Sequence, residues 1–456
     1  MRLGCFKSYD VRGRIGEDLD EDLCRRIGRA FVAVMTPGKV VVGHDCRASS
    51  EAFHTAVIEG LLESGADVLD IGLCGTEEVY FATDHYGAGG GIMVTASHNP
   101  IDYNGMKLVG PGSRPISPEG GFQQMHDLVA DGIAAANVPP GTRTRVDHRA
   151  AYVDKVLSFV DPAALGAFKV LVNAGNGSAG PTFDALADAL ARRGAQLDFV
   201  THHHTPDGTF PNGIPNPLLP ENRPQTAEAV IAEGADIGIA WDGDFDRCFL
   251  FDEGGAFIDG EYLVGLLAEA FLARTPGARV VHDPRVQWNT LDLVARAGGE
   301  AVVSKTGHAH VKGTMREADA VYGGEMSAHH YFRDFMYCDS GMIPWLLVLE
   351  HMAKTGKPLS ALIGDMRDAY PSSGEINFKV SDAAAAMEAI EAALVDDTCE
   401  IDRMDGVSLS FANRRLNLRR SSTEPVLRLN VETRGDRALL NETTAQVVEM
   451  IKPFEA

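Results

Sequence analysis

The sequence predicts an α/β protein in which three related α/β domains with mixed sheets precede a C-terminal α+β domain. Its 456 residues are too many for a single domain, since domains hold about 100 to 200 residues. A pattern of strand, polar loop, amphipathic helix and strand also occurs three times, starting near residues 39, 168 and 279. We therefore expect domain boundaries at 1–146, 147–251, 252–367 and 368–456.

The repeated unit predicts parallel strands joined by crossover helices. Each predicted helix ends just before a glycine, Gly65, Gly194 or Gly298, where a left-handed residue can close the helix. The HDPR segment of the third unit also echoes HDCR in the first, at the same place after the strand. Three related βα units follow from these two features.

Beyond about residue 368 the pattern changes. An alanine-rich helix and the strands GVSLSF, RRLNLRR and VLRLNVET follow one another through short turns before a final helix, which is typical of an antiparallel α+β domain. We expect the YPSSG segment at 370–374 to be a linker.

Composition excludes several classes of function. A charge of −23 disfavours nucleic acid as a partner, because binding a phosphate backbone needs a basic face. No stretch reaches the ~18 apolar residues of a membrane helix, and the N-terminal segment lacks the apolar run of a secretory signal. The seven cysteines show no C-x-x-C pair. We expect a cytoplasmic protein with reduced thiols and no membrane partner.

Three aspartates, Asp242, Asp244 and Asp246, alternate in a loop between two apolar strands. Their mutual repulsion favours a bound cation, and oxygen ligands suit Mg²⁺. An EF-hand is disfavoured because Arg247 takes the required glycine position and a strand replaces the exit helix. A solvated acidic turn stays an alternative.

Ser97, in TASHNP, follows an apolar strand. A hydrolase triad is not indicated, since there is no G-x-S-x-G elbow and the adjacent His98 points in a different direction. Ser97 could instead carry a phosphoryl group, whose oxygens could complete the ligand set of a cation held by the aspartates.

Two further segments are rich in binding groups. Arg419 and Arg420 precede three hydroxyl residues and Pro425, a pattern that suits a phosphate clamp, although a polar hairpin turn is the alternative. Glu325 and Ser327, two residues apart in a loop, could bind neighbouring sugar hydroxyls. His308 and His329 are candidate site residues, whereas His310 and the run at 202–204 are expected to lie on the surface.

The motifs TASHNP, DGDFDR, GEMSAHH and RRSSTEP, in this order, resemble the α-D-phosphohexomutase superfamily over essentially the whole chain. Within it, segments such as SYDVRG and TEEVYFAT are most similar to bacterial phosphomannomutases. The resemblance implies four domains around a central active-site cleft with one functional loop from each. It also implies Mg²⁺ as cofactor and a hexose 1,6-bisphosphate as activator.

Site residues follow from the resemblance, motif by motif. It implies a phosphoserine at Ser97, which would hold the metal together with Asp242, Asp244 and Asp246. The implied catalytic residues are Ser97, His98, Lys107, Arg247 and His308, and the implied substrate-binding residues are Tyr9, Arg12, Arg285, Glu325, Ser327, His329, Arg419, Ser421, Ser422 and Thr423. Lys107, His98 and His308 are all candidate proton carriers. Ser422 stands where many relatives of that family have Asn, and Arg285 where some have Lys. Both replacements keep a phosphate contact, so they leave the fine specificity open but not the reaction.

The implied reaction interconverts mannose 6-phosphate and mannose 1-phosphate through a phosphoserine enzyme and a hexose 1,6-bisphosphate, supplying mannose 1-phosphate for GDP-mannose and polysaccharide synthesis. Alternatives are a phosphoglucomutase or dual-specificity enzyme, a metal-dependent phosphatase, and a non-enzymatic sugar-phosphate sensor. The expected partner is a hexose phosphate, and the expected state is a monomer or weak homo-oligomer.

Overall fold

The computed structural model describes residues 3–420 and 426–455. The chain forms two compact units. The first comprises Met1–Phe257 and His329–Gly356, and the second comprises Ile258–Ala328 and Lys357–Ala456. Within the described ranges, every helix is too short or too polar to span a bilayer.

The first unit begins with a mixed sheet in the order β1-β5-β4-β2-β3-β6. Strands β2, β3, β4 and β6 run parallel, whereas β5 is antiparallel to both neighbours. The strands are β1 Asp10–Arg14, β2 Lys39–His44, β3 Asp67–Leu73, β4 Gly90–Val94, β5 Tyr103–Val109 and β6 Arg143–Arg145, and the helices are α1 Glu21–Met35, α2 Ser50–Glu63, α3 Thr76–His85 and α4 Gln123–Ala130. A buried core that includes Phe31, Val57 and Ile92 joins helices to sheet.

A second mixed sheet of the same unit has the order β10-β9-β7-β8, with β9 and β10 antiparallel. Its strands are β7 Ala167–Asn173, β8 Gln196–His202, β9 Ile237–Trp241 and β10 Cys248–Asp252, and its helices are α5 Arg149–Leu157, α6 Ala179–Arg192 and α7 Pro224–Glu233. The unit also contains the antiparallel pair β14 His330–Phe332 and β15 Cys338–Asp339, with α11 Ile343–Thr355. Every residue of β9 and β10 is buried, so the loop between them starts from a rigid base.

The second unit contains parallel strands in the order β12-β11-β13. These are β11 Arg279–His282, β12 Glu300–Val303 and β13 Tyr322–Gly324, with α8 Gly260–Arg274, α9 Trp288–Arg296, α10 His308–Ala318 and α12 Leu359–Ala369.

Its C-terminal part is an antiparallel sheet in the order β16-β20-β19-β18-β17. The strands are β16 Ser372–Lys379, β17 Glu400–Asp402, β18 Val407–Ser410, β19 Arg414–Arg420 and β20 Val426–Thr433, with α13 Ala383–Leu394 and α14 Arg437–Ile451. The linker predicted at 370–374 is shorter than expected, because β16 already begins at Ser372 and pairs there with Glu432.

The three repeated units are confirmed as β2-α2-β3, β7-α6-β8 and β11-α9-β12, each with its two strands parallel. Gly65, Gly194 and Gly298 have φ of 87°, 88° and 72°, the left-handed conformation that ends a helix. The α/β architecture with mixed sheets is therefore the one expected from the sequence.

Candidate functional site

The three aspartates lie together in the loop between β9 and β10. Asp242, Asp244 and Asp246 are 0%, 0% and 2% exposed, and one carboxylate oxygen of each lies within 4.8 Å of the others. Two hydrogen bonds from outside the loop stabilise it. The Thr76 hydroxyl donates to Asp244 Oδ2 at 2.5 Å, and the Ser178 N–H donates to Gly243 O at 3.0 Å. The convergence predicted from the alternating pattern is thus present.

Two cations face the aspartates. Lys107, from β5, donates to Asp244 Oδ2 at 2.8 Å and to Asp246 Oδ2, and Arg247 Nε lies 3.2 Å from Asp242 Oδ2. Burial alone would lower the pKa of Lys107, but the facing Asp244 and Asp246 carboxylates outweigh it and raise that pKa. Burial alone would raise the pKa of Asp244, but the Lys107 ammonium outweighs it and lowers that pKa. At Asp246, burial and the charge of Asp244 raise the pKa.

The aspartate cluster fits a divalent cation. The Oδ1 atoms of Asp242, Asp244 and Asp246 are buried, and none has a hydrogen-bond partner among residues 3–420 and 426–455. A buried carboxylate oxygen without a partner is costly, and hard cations take such oxygens as ligands. With Lys107 and Arg247 alone, the cluster of three carboxylates would keep a net negative charge.

Ser97 lies beside the cluster, in the loop between β4 and β5. It is 2% exposed, and its Oγ donates to Asp242 Oδ2 at 2.7 Å. Its φ of 48° places a non-glycine residue in the left-handed region, which the surrounding structure must hold. A buried serine hydroxyl thus lies against the carboxylate cluster.

His98 contacts both Ser97 and Arg247. Its Nδ1 is 2.9 Å from Ser97 Oγ, so the expectation that the two adjacent side chains point in different directions is wrong, and it also contacts Arg247 Nη2. Burial and the Arg247 charge lower the pKa of His98 to about 4, so its ring is neutral near pH 7. Arg247 is therefore a common neighbour of His98 and the carboxylate of Asp242.

Two other predicted residues of the first unit, Arg12 and His329, border this site. Arg12, on β1, donates from Nη1 to Asn99 Oδ1 at 2.5 Å, which joins it to the Ser97 loop. His329 Nε2 lies 3.7 Å from Asp246 Oδ1 and 3.9 Å from Asp339 Oδ2. Tyr9 is half-buried just before β1.

The second unit holds a separate polar group centred on Arg285. Its Nη2 lies 2.8 Å from Asp283 Oδ2, 3.3 Å from Ser327 Oγ and 3.7 Å from Glu325 Oε1. Arg419 shares a neighbour with it, since Nη2 of Arg419 and Nη1 of Arg285 lie 3.4 and 3.5 Å from Glu375 Oε2. Arg285, Glu325, Ser327 and Arg419 thus belong to one group, and their role in substrate binding stays a prediction.

His308 begins α10 and is half-buried. The N–H of the preceding Gly307 donates to Glu325 Oε1 at 2.8 Å, so the start of this helix adjoins the Arg285 group. Ser421, Ser422 and Thr423 of the predicted clamp lie outside the described residues.

Family models cover nearly the whole chain. Residues 4–125, 150–255 and 259–370 match the alpha/beta/alpha domains I, II and III of phosphoglucomutase/phosphomannomutase, and residues 375–450 match the C-terminal domain. The chain belongs to the phosphoglucomutase/phosphomannomutase family. The resemblance read from the four motifs is thereby confirmed.

Full-length relatives of the family support this membership. A protein of Salmonella montevideo named phosphomannomutase is 54% identical over 455 residues, covering 98% of this chain and 99% of its own. A Xanthomonas campestris pv. campestris protein named phosphohexose mutases is 55% identical over 452 residues, covering 99% and 100%. A solved phosphoglucomutase/phosphomannomutase family structure from Burkholderia thailandensis has TM-score 0.87 and 32% identity, covering 99% and 98%.

One residue of this family member's site was missed from the sequence. Thr76, at the start of α3, is fully buried and bonds the carboxylate of Asp244. Its signal was weak, because a threonine at the start of a helix is ordinarily read as a cap. The predicted boundaries of the four domains, the individual site roles and the central cleft stay predictions.

Proposed function

We propose that this chain is a phosphomannomutase that interconverts mannose 6-phosphate and mannose 1-phosphate through a phosphorylated Ser97. The main support is one juxtaposition: the Ser97 hydroxyl lies 2.7 Å from Asp242 Oδ2, beside three carboxylates whose buried Oδ1 atoms have no hydrogen-bond partner among the described residues. A nucleophilic hydroxyl next to a cation site is the arrangement that phosphoryl transfer requires.

In this proposal the phosphoryl group on Ser97 passes to the free hydroxyl of a hexose phosphate. The bond between phosphorus and Ser97 Oγ breaks, a bond to the sugar oxygen forms, and the sugar hydroxyl loses its proton to a base. The resulting hexose 1,6-bisphosphate turns end for end and returns its other phosphoryl group to Ser97. Free hexose 1,6-bisphosphate would load the serine initially, which makes it an activator.

Asp242, Asp244 and Asp246 would hold Mg²⁺, which when bound would neutralise charge on the phosphoryl oxygens. Arg247 lies beside Asp242 and His98, and its guanidinium would contact the phosphoryl oxygens. Lys107 bonds Asp244 and Asp246, so we assign it to balancing part of the negative charge of the cluster. His98 and His308 are the remaining candidate proton carriers.

Substrate binding would fall to the Arg285 group. Ser327 and Glu325 present a hydroxyl and a carboxylate beside Arg285, which suits adjacent sugar hydroxyls. Arg419 is mostly buried and would grip the phosphate that is not reacting, together with Ser421, Ser422 and Thr423. Tyr9, Arg12 and His329, all of the first unit, stay proposed substrate-binding residues.

Mannose is the proposed sugar because relatives more than half identical over their full length carry the name phosphomannomutase. The broader name of the Xanthomonas relatives, phosphohexose mutases, keeps a dual-specificity enzyme as the second candidate. A cytoplasmic location, a monomer or weak homo-oligomer, and a role in supplying mannose 1-phosphate for GDP-mannose and polysaccharide synthesis are parts of the same proposal.

Phosphorus NMR tests the proposal directly. The protein is mixed with mannose 1-phosphate, Mg²⁺ and a catalytic amount of hexose 1,6-bisphosphate, with glucose 1-phosphate in a parallel tube. Growth of the mannose 6-phosphate signal faster than that of glucose 6-phosphate supports the mannose assignment, and equal rates support dual specificity. Release of inorganic phosphate alone would establish a phosphatase, and no reaction would leave the sensor reading.

Ser97→Ala supplies the matched test of the nucleophile. We expect turnover to fall by at least about a thousandfold, with loss of the phosphorylated form by intact mass. Ser158→Ala is the control, because Ser158 is exposed and its hydroxyl bonds only the local Lys155 carbonyl among the described residues. Substantial mutase activity in Ser97→Ala would refute the role of Ser97.

A further inference from the structure

Arg47 is a buried arginine for which the proposed reaction has no role. It follows β2 in the turn that carries the HDCR motif and is 3% exposed. The turn is fixed at its start, since the Asp45 N–H donates to Val94 O at 2.9 Å, at the end of β4. Asp45 Oδ1 then accepts from the Arg47 N–H at 3.0 Å.

The guanidinium of Arg47 binds the backbone of the loop that contains Ser97. Its Nη1 donates to Pro100 O at 2.9 Å and Tyr103 O at 3.2 Å. Its Nη2 donates to Ser97 O at 2.9 Å and Asn99 O at 2.5 Å. A guanidinium has donors in a rigid planar fork, so these carbonyls must take up fixed positions around it.

Ser97 depends on such restraint. Its backbone is left-handed, with φ of 48°, a conformation that L-residues keep only when their surroundings impose it. Its N–H donates to Thr95 Oγ1 at 2.8 Å, while its carbonyl accepts from Arg47. The bonds on both sides of the Ser97 Cα therefore set where Oγ points.

The aspartate loop restricts the same carbonyl from the other side. A Cβ added to Gly243 would lie 2.6 Å from Ser97 O, closer than atoms pack, so this glycine permits the close approach of the two loops. Both Arg47 and Gly243 therefore lie close to Ser97 O.

We propose that Arg47 is a positioning residue for phosphoryl transfer, which fixes the backbone at Ser97 so that Oγ stays against the aspartate cluster. This inference rests on the proposed role of Ser97 as the phosphoryl carrier. Arg47 has no proposed contact with the substrate. Loss of its guanidinium should therefore slow phosphoryl transfer without weakening substrate binding.

Arg47→Lys is the test variant, because an ammonium keeps the charge but cannot reach four spread carbonyls. We expect kcat to fall by about tenfold to a hundredfold, the effect of a displacement of about 1 Å, with KM for mannose 1-phosphate within about twofold of wild type. Phosphorylation of Ser97 by hexose 1,6-bisphosphate, followed by intact mass, should slow by a similar factor.

Arg29→Lys is the matched control. Arg29 also holds a loop carbonyl, Ile133 O at 3.2 Å, and pairs with Glu63, but it has no contact with the Ser97 loop among the described residues. If Arg47→Lys and Arg29→Lys lose the same thermal stability and both keep wild-type kcat, the inference is wrong. Wild type runs in the same assay, so absence of any Ser97 phosphorylation there would instead contradict the proposed function.

Asp45→Asn keeps the test informative if Arg47→Lys does not fold. The amide weakens the hold on the Arg47 backbone without removing the guanidinium, so we expect a smaller fall in kcat, again with little change in KM. Wild-type kcat in a folded Asp45→Asn protein would also count against the inference.

Discussion

Asp244→Asn separates cation binding from folding at the aspartate cluster. The side chain is fully buried, its Oδ2 binds Lys107 and Thr76, and its Oδ1 has no partner in the described part of the chain. An amide keeps the shape but removes one of three negative charges. Cation affinity should therefore fall much more than stability.

The magnitude follows from charge. Two unit charges 4 Å apart interact by about 4 kcal/mol at an effective dielectric constant near 20, and a divalent cation roughly doubles this. Part of this loss of binding free energy is offset, because the amide oxygen of the new Asn can still ligate the cation. In addition, Lys107 competes less strongly for that oxygen. We expect Mg²⁺ to bind at least about a hundredfold more weakly, equivalent to about 2.8 kcal/mol.

The effect on folding should be smaller. Lys107 keeps Asp246 as a partner, and the repulsion between neighbouring carboxylates is relieved. We expect the free energy of unfolding to fall by about 1 to 2 kcal/mol, a loss typical of one hydrogen bond to a charged group. At about 2 to 4 °C per kcal/mol for a domain of 150 to 250 residues, Tm without metal should drop by only a few degrees.

Isothermal titration of Mg²⁺ into protein verified by intact mass to be unphosphorylated measures the affinity, and calorimetry without metal measures Tm. Asp252→Asn is the control, since this aspartate at the end of β10 is buried and accepts from the N–H groups of Gly254 and Ala256. The reasoning fails if Asp244→Asn binds Mg²⁺ within about threefold of wild type, or if Asp252→Asn weakens binding equally.

Two more predictions concern Thr76 and Glu261. Thr76→Val should weaken Mg²⁺ binding by about tenfold because Asp244 loses its hydroxyl donor. Thr76→Ser keeps a hydroxyl and should restore the affinity. Equal affinities in the two variants would contradict a role of the Thr76 hydroxyl in orienting Asp244. Burial and the Asp259 charge raise the pKa of Glu261 from 4.5 to about 8. Between about pH 4.5 and 8 the folded chain therefore keeps a proton on Glu261 that the unfolded chain loses. The free energy of unfolding should fall as pH rises through that window. Glu261→Gln should flatten this slope in urea titrations, and an unchanged slope would refute the assignment.

The sequence was most informative where a local pattern carries the structure. Alternation placed the three aspartates on one loop, and the glycines at 65, 194 and 298 marked helix ends that the φ angles confirm. The same is true of Ser97, whose loop follows an apolar strand. These features depend on neighbours in the chain, and periodicity reports on such neighbours.

Contacts between distant segments were not predictable in this way. Ser97 and Asp242 are 145 residues apart, and Lys107 and Asp244 are 137 apart, so their meeting depends on how two sheets of the first unit pack. Family resemblance supplied Lys107 as a candidate proton carrier but gave no indication of its ion pairs. Thr76 was missed for the same reason, since its partner lies 168 residues away.

The repeated turns explain how one unit can position different loops. In both HDCR and HDPR the histidine Nδ1 lies 2.8 to 2.9 Å from the aspartate carbonyl, and the aspartate Oδ1 accepts from the arginine N–H. These local bonds fix the start of the arginine side chain, whereas the end of that side chain meets different partners outside the turn in the two repeats. Arg47 meets backbone carbonyls, whereas Arg285 meets Ser327 and Glu375. The same turn can therefore hold the loop of the proposed phosphoryl carrier in one repeat and belong to the proposed binding group in another, because only the shared part of the turn is local in sequence.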